Sequence, residues 1–402
     1  MSRFGLRPLQ DRGAVLVYVA IALLVLVAFS AIVVDYGILW VSRAQAQNAA
    51  DAGALAGAVS LAWDSDDRTA TGPAATKAAA TANQNRVWGQ PAGVTAAIPD
   101  PIDFSGNPNG LPPNWMCPDG SNSCIRVNVY RNLAHGNALP VFFARLFGVS
   151  EQGVQAMAIA EASAADTTDC LKPWAVPDKW IENSTPPDLE FDPAVDVYRP
   201  PTDENPTGYN PANDAGCLVQ FKIGRAEDRM SAGWFFALAL EPPCGSSGGG
   251  GSAYRASIAA CSCSQYSIGE RVDISNEPGN MVGPTDQGVR DLVALDPGAH
   301  WVGTNSCPDP TGHVEGSSST NWRNSPRVVP IPLFDPEAYL ATDPNGRTDV
   351  PIVNLLGFFV LDVVDHGAKG SYVRGYLVQD MGLRRGSGPP LTSFLKVIQL
   401  VR

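Results

Sequence analysis

The sequence predicts an α+β protein. An N-terminal transmembrane helix continues into a further helix and a small antiparallel sheet, and a mostly β C-terminal domain follows. Three observations predict this. Residues 14–34 (AVLVYVAIALLVLVAFSAIVV) carry no charge over 21 positions. Residues 35–63 are rich in alanine and contain no proline, so helix is the expected state. Beyond about residue 166, short apolar runs alternate with Gly- and Pro-rich stretches. Gly 39 plus Pro 34 is 73 of 402 residues. That is about 18%, against an average near 12%, and it favours short strands joined by many turns. The composition excludes a coiled coil and a collagen-like rod.

The apolar run comes first. At about 1.5 Å per residue, 21 residues make roughly 30 Å of helix, the thickness of a bilayer's hydrocarbon core. Arg12 and Asp35 bound it. A cleaved signal peptide would have a shorter apolar core of about 7–15 residues and a break at its cleavage site. Helix-compatible sequence instead continues past Asp35, so an uncleaved anchor is expected. Arg3, Arg7 and Arg12 against Asp11 predict a cytoplasmic tail over residues 1–13. Lys+Arg 28 and Asp+Glu 40 give a net charge of −12. Without those four residues and Asp35, residues 36–402 carry 25 basic and 38 acidic side chains, a net of −13. Such a balance speaks against coating nucleic acid, which needs cations to neutralise phosphates. The next most apolar stretch, Ile352 to Val364, is interrupted by Asn354, Gly357 and Asp362 and reads as buried strand. The expected organisation is a tail (1–13), a span (14–34), a helical stalk with a small α+β domain (35–165) and an extracytoplasmic β domain (166–402).

The helix after the span has a stripe of small side chains. Ala46, Ala49, Gly53, Ala56 and Ser60 recur every three to four residues, and Gly53 with Gly57 forms a G-x-x-x-G. Glycine inside a helix costs about 1 kcal/mol relative to alanine, so two of them call for a close approach of another backbone. The expected helix-packing residues are Ala46, Ala49, Gly53, Ala56 and Gly57. Two partners are open: a helix of another protein, or the chain's own domain.

Arg12-Gly13-Ala14 before the apolar run, Asp35-Tyr36-Gly37 after it, Gln45 to Ala52 (QAQNAADA) and Ala54 to Ala58 (ALAGA) together resemble the N-terminal segment of TadG-like proteins of the tight-adherence (Tad/Flp) pilus-assembly system. Apolarity alone would not produce the Gln, Asn and Asp positions. The resemblance covers about 48 residues. It implies a bacterial inner-membrane protein that helps to build a Flp-type pilus, and by analogy a pilin-like headpiece. TadE-type pseudopilins of the same system are cleaved after glycine and usually carry Glu at the fifth following residue. Counting from Gly13 that residue is Tyr18, which fits the uncleaved, TadG-like form.

In the remainder of the first domain, Pro73 to Ala82 reads as a helix with Pro in its first turn. Residues 89–123 read as loop. Ile125 to Tyr130 reads as a strand, Pro140 to Gly148 as a short apolar helix, and Val154 to Ala162 as a strand pairing with the first. Cys117 and Cys124 flank the turn before the first strand and are expected to form a disulfide. An even cysteine count outside the cytoplasm agrees.

In the second domain, strands are expected at Leu218–Ile223, Gly233–Leu240, Val328–Leu333, Ile352–Val364, Tyr372–Gln379 and Phe394–Val401, with short helices at 291–295 and 335–341. A sandwich or open barrel would accommodate them. Cys170, Cys217, Cys244, Cys261, Cys263 and Cys307 allow 15 pairings, and three disulfides are expected. Several patterns stop short of a site. Asp273 to Glu277 departs from a D-x-S-x-S metal motif at its last position. Gly248 to Gly251 lacks the Lys-Ser/Thr ending of a phosphate loop. The acidic group Asp188, Glu190, Asp192, Asp196, Asp203 and Glu204 is broken by prolines and reads as solvated loop rather than a Ca²⁺ site. His135, His300, His313 and His366 stand apart, outside any nucleophile or zinc motif.

The sequence therefore assigns no catalytic, cofactor or metal residue. The leading reading is a non-enzymatic membrane-anchored assembly protein. Its partners would be the lipid bilayer and other pilus-assembly or pseudopilin proteins, with no nucleic acid and no assigned small-molecule ligand. A tethered surface or periplasmic binding protein is the alternative, with Trp234, Trp301 and Trp322 as candidate sugar platforms. A tethered hydrolase is the lesser one.

Overall fold

The computed structural model describes residues 12–63, 69, 71–97, 117, 123–224, 230–243, 249–262, 264–274, 281–304, 306–341, 349–365, 371–382 and 393–401. The chain divides into two units, residues 1–162 with 398–402, and residues 163–397.

In the first unit, α1 (Arg12–Trp63) is a single helix of 52 residues. Every large apolar side chain from Val15 to Val34 is exposed on it. Among the described residues this is the one helix long and apolar enough to cross a membrane, and it fits a single-pass anchor. The pattern changes at Asp35. Asp35, Ile38, Ser42, Ala46, Ala49 and Ala50 are buried, so one face of the helix becomes core where the apolar run ends. Helix α2 (Pro73–Gln84) starts with proline at its first position, where the missing N–H costs nothing. It lies along α1 and buries Ala74, Ala78 and Ala82 in the same core.

A sheet covers the helices. Strands β1 (Gly93–Ala97), β2 (Cys124–Arg131) and β3 (Val154–Ala164) are antiparallel neighbours, with Val127 opposite Ala96 on one side and Ala158 on the other. β1 lies inside the stretch expected to be loop. GVTAA has little of the β-branched alternation that marks a strand, and the ladder with β2 overrides its weak propensity. Residues 98–116 and 118–122 lie outside the described residues. Cys117 and Cys124 are joined by a disulfide at the start of β2. The chain's last residues return to this unit, where the Val401 N–H donates to the Ile159 carbonyl at 2.9 Å.

The second unit is built on a closed barrel rather than a sandwich or an open one. Its strands are β4 (Trp174–Pro177), β5 (Leu218–Ile223), β6 (Trp234–Ala237), β8 (Val328–Phe334), β9 (Asp349–Asp365) and β10 (Ser371–Leu377). Between β6 and β8 in the chain lies β7 (Arg271–Asp273), which pairs with the first residues of β9. The ladder runs β8-β4-β6-β5-β10-β9 and closes from β9 back to β8. β8–β4 and β5–β6 are parallel and the other four contacts antiparallel. The 17-residue β9 makes closure possible. It pairs with β8 from Ile352 to Phe359 and with β10 from Phe358 to Asp365. A last strand, β11 (Leu395–Leu400), falls at the end of the chain.

Phe221, Phe235, Phe236, Ile331, Leu333, Leu355, Phe358 and Leu377 form part of this unit's buried core. Helices α3 (Gly250–Ala259) and α4 (Val282–Leu295) pair beside it through Arg255 Nε to Asp291 (2.6 Å) and Tyr254 Oη to Thr285 Oγ1 (3.2 Å). α3 begins within the Gly run that lacks a phosphate-loop ending. α4 is longer than the expected 291–295. The short α5 (Pro336–Leu340) is capped by Asp335. Cys170–Cys261 and Cys217–Cys307 are disulfides. Cys244 and Cys263 lie outside the described residues.

Candidate functional site

Three polar residues of α1 that carry the resemblance, Asp35, Gln45 and Gln47, each hold another segment of the first unit. Asp35 is the first charge after the apolar run and is 6% exposed. Its carboxylate accepts three backbone N–H bonds, from Phe142 (3.0 Å), Phe143 (3.0 Å) and Ala144 (2.6 Å). Those N–H groups open the single 3-10 turn Ala144–Phe147 and would otherwise lack partners. This pairing reshapes the segment 140–148, expected to be an apolar helix. Only 144–147 is helical, and Phe142 and Phe143 remain outside the core. The base of the segment is fixed separately. Leu139 and Val141 are buried, Gln152 Nε2 donates to the Pro140 carbonyl at 2.8 Å, and Arg131 Nη2 donates to the Ala138 carbonyl at 3.4 Å.

Nearly three turns along, Gln45 Oε1 accepts the Trp88 N–H at 2.7 Å. Trp88 has φ +50° and Gly89 φ +72°, a left-handed pair in the tight turn closed by Val87 N–H to the Gln90 carbonyl. That conformation disfavours a non-glycine residue, and the glutamine contact compensates. Gln47 Nε2 donates to Asp51 Oδ1 (2.8 Å) and to the Met157 carbonyl (3.1 Å), tying α1 to β3. Sequence reasoning noted Asp35 only as the end of the span. A lone carboxylate beside that end, with a Pro-led apolar turn later in the chain, was the available signal.

The small-residue stripe has its place inside the unit. Ala46 and Ala49 are fully buried, and Ala56 is partly buried. A Cβ on Gly53 would stand 2.8 Å from the Ala78 carbonyl oxygen and 2.9 Å from Ala82 Cβ. On Gly57 it would meet Ile125 Cδ1 at 2.6 Å and Ala78 Cβ at 3.0 Å. Of the two partners left open, the close backbone is α2 of the same chain, with β2 behind it. The idea of a foreign helix docking at Gly53 is corrected accordingly, because its place is filled.

Among the described residues of the second unit, no three His, Cys, Asp or Glu side chains gather as a metal site. The acidic loop uses its carboxylates as turn acceptors: Asp196 takes the N–H of Asn183 and Asp192 (2.9 Å each), and Asp188 and Asp203 take those of Glu190 and Asn205. Asp273 ends β7, and residues 275–280 lie outside the described residues. Trp301 stacks on Tyr376 at 4.4 Å, and Trp322 packs with it on one small cluster; Trp234 lies under Lys222. They pack on their own neighbours rather than lining a shared groove. His135 stacks on Tyr130 in the first unit, His300 contacts the Gly298 carbonyl and His313 contacts Glu315, while His366 lies outside the described residues.

Two buried charges stand out. Asp178 is fully buried, and burial pushes its carboxyl up to about 7, against the hydrogen bonds from Tyr209 N–H, Lys179 N–H and Tyr198 Oη. Burial pulls the Lys172 amine down to about 7, with the Ala260 carbonyl at 3.0 Å. Each is held by hydrogen bonds to its own neighbours.

The apolar rod of α1 runs on into a helix packed against α2 and the sheet that contains β1, β2 and β3. Residues 13–60 match the family model described as Flp pilus-assembly TadE/G-like, and residues 41–160 match that described as Tad-like Flp pilus-assembly. Over its N-terminal segment the chain is thus similar to TadG-like proteins of the Tad/Flp pilus-assembly system. Both fall within the first 160 residues. Neither curated proteins nor solved structures give a match to the chain.

Proposed function

We propose that this chain is a single-pass component of the bacterial inner membrane that serves Flp/Tad pilus assembly through protein–protein contacts and performs no catalysis. Its N-terminus is cytoplasmic, and the two folded units lie in the periplasm or beyond. Its partners are other pilus-assembly or pseudopilin proteins. The observation that carries this reading is the continuity of α1. One helix changes at Asp35 from a rod whose large apolar side chains are all exposed to the central element of a unit that matches the pilus-assembly models. Such a helix fixes its headpiece rigidly to the membrane.

The test is deletion of the gene and complementation, read as Flp pilin in the sheared surface fraction. Deletion should abolish surface pili, and the full chain should restore them. Normal piliation of the deletion strain would overturn the reading. Topology is read separately from alkaline phosphatase fused after Ser163, which should be active. Inactivity there would reverse the orientation.

A further inference from the structure

The connection between β2 and β3, residues 132–153, leaves four large apolar side chains outside the core. Leu133 is 68% exposed, Phe142 57%, Phe143 38% and Val149 45%. The headpiece core takes Leu139 and Val141 from the same segment and turns the phenyl rings outward. Two adjacent exposed phenylalanines on a short, firmly held turn form an apolar patch that the described residues of the unit leave uncovered.

Asp35 fixes where the turn stands. The backbone N–H groups of Phe142, Phe143 and Ala144 all bond to its carboxylate. Asp35 directly follows the 20 residues 15–34, whose large apolar side chains are all exposed. The rings are thus held at the height where the apolar surface of α1 ends. Tyr36 and Trp40 extend the same level on the helix. They are 61% and 69% exposed, and Trp40 Nε1 donates to Tyr36 Oη at 3.2 Å. At 1.5 Å per residue, Trp40 lies about 8 Å beyond Asp35, close to the depth of a headgroup layer. Amphipathic aromatic rings favour that layer. Arg145, exposed on the same turn, suits anionic headgroups.

We propose that the turn around Phe142 and Phe143 is a second membrane contact: a foot that seats the two rings in the outer interface of the bilayer that α1 crosses. The occupant is lipid, and Asp35 is the residue that positions the foot. The proposal rests on α1 being membrane-inserted. The foot gives the headpiece two points of support, so it cannot swivel freely about the helix.

The test uses the full chain in phosphatidylethanolamine–phosphatidylglycerol vesicles with one photoreactive residue at a time. The variants are Phe142→p-benzoylphenylalanine, the same replacement at Leu24 in the span, and the same at Val59, about 36 Å beyond Asp35 along α1. Irradiation should give lipid adducts at Leu24 and Phe142 in yields of the same order, and none at Val59. Adding Asp35→Ala should reduce the yield at Phe142 and leave that at Leu24 unchanged. Adducts at Leu24 without any at Phe142 would overturn the foot and leave the anchor standing. No adduct at Leu24 would overturn the anchor and the foot with it. Cross-links from Phe142 to a second copy of the chain would assign the rings to a protein contact and reject lipid. Equal labelling at Val59 would show unselective contact and also reject the foot.

Discussion

The two units solve the problem of a core in opposite ways. Among the described residues, 13 of the 20 in the first unit's main buried cluster are alanine, and none is aromatic. In the second unit's main cluster, 13 of 36 are Phe, Tyr or Trp. A small-residue core gains little from each side chain, since burial contributes in proportion to apolar area. It gains instead from backbones close enough for dispersion contacts over several turns, and polar ties such as Gln47 fix the register. An aromatic core gains much from each ring. The first unit should therefore be most sensitive to added atoms and the second to removed ones.

The comparison would break first at Phe358. It is fully buried in the barrel, with Phe221 at 5.5 Å between ring centroids. Phe358→Ala should lower the stability of the second unit by about 3–5 kcal/mol, read in chemical denaturation. A loss under 1 kcal/mol would mean that the barrel interior collapses around the gap. Next comes Gly53→Leu. The nearest obstacle is a backbone oxygen, Ala78 O at 2.8 Å, which cannot rotate aside. Overpacking should cost up to about 3 kcal/mol, offset by at most about 1 kcal/mol of helix propensity. Proteolysis should then open residues 73–97 while the barrel resists. An unchanged digestion pattern would show that the seam has room.

A third expectation concerns pH and belongs to the second unit. The Asp178 carboxyl, raised from 3.8 to about 7, stays protonated in the fold while the unfolded chain loses its proton. Stability should therefore fall as pH rises from about 4 to 7. Lys172, lowered from 10.5 to about 7, is neutral in the fold where the unfolded chain still holds a proton. Stability should rise again between pH 7 and about 10. Each arm is a slope of unfolding free energy against pH, set by the difference in protons bound between the folded and unfolded chain. Asp178→Asn should remove the acid arm and Lys172→Met the alkaline one. Slopes that persist in both variants would place the titration elsewhere. The smallest effect is expected for Ala54→Gly in the first unit, about 1 kcal/mol from helix propensity. Thermal melting resolves it, and a loss comparable to that at Phe358 would abolish the contrast between the two cores.

What could be read in the sequence follows the same division. The span, α2, β2 and β3 were legible because each carries its own periodicity, and so were the longer barrel strands. Barrel closure was not. It depends on β4, the four residues WAVP, and on its parallel contact with the distant β8, where Val176 lies opposite Leu333. The role of Asp35 was hidden for a similar reason, since the amides it binds come 107–109 residues later. The Gln and Asp positions of α1 were legible as a resemblance. Their partners, Trp88 and Met157, were not, because side chain–backbone bonds leave no pattern in a single sequence.

Val401 and Ile159 have a consequence in time. Their hydrogen bond joins two residues of one unit that are separated by the synthesis of the whole other unit. On the ribosome, α1, α2 and β1–β3 can form early, yet the last backbone partner of Ile159 emerges only after the barrel's sequence has been made. The first unit is thus begun first and finished last, and a product interrupted before Val401 would keep its barrel while leaving β3 short of a neighbour. A series of arrested chains would register this as a late gain in protease resistance over residues 124–162.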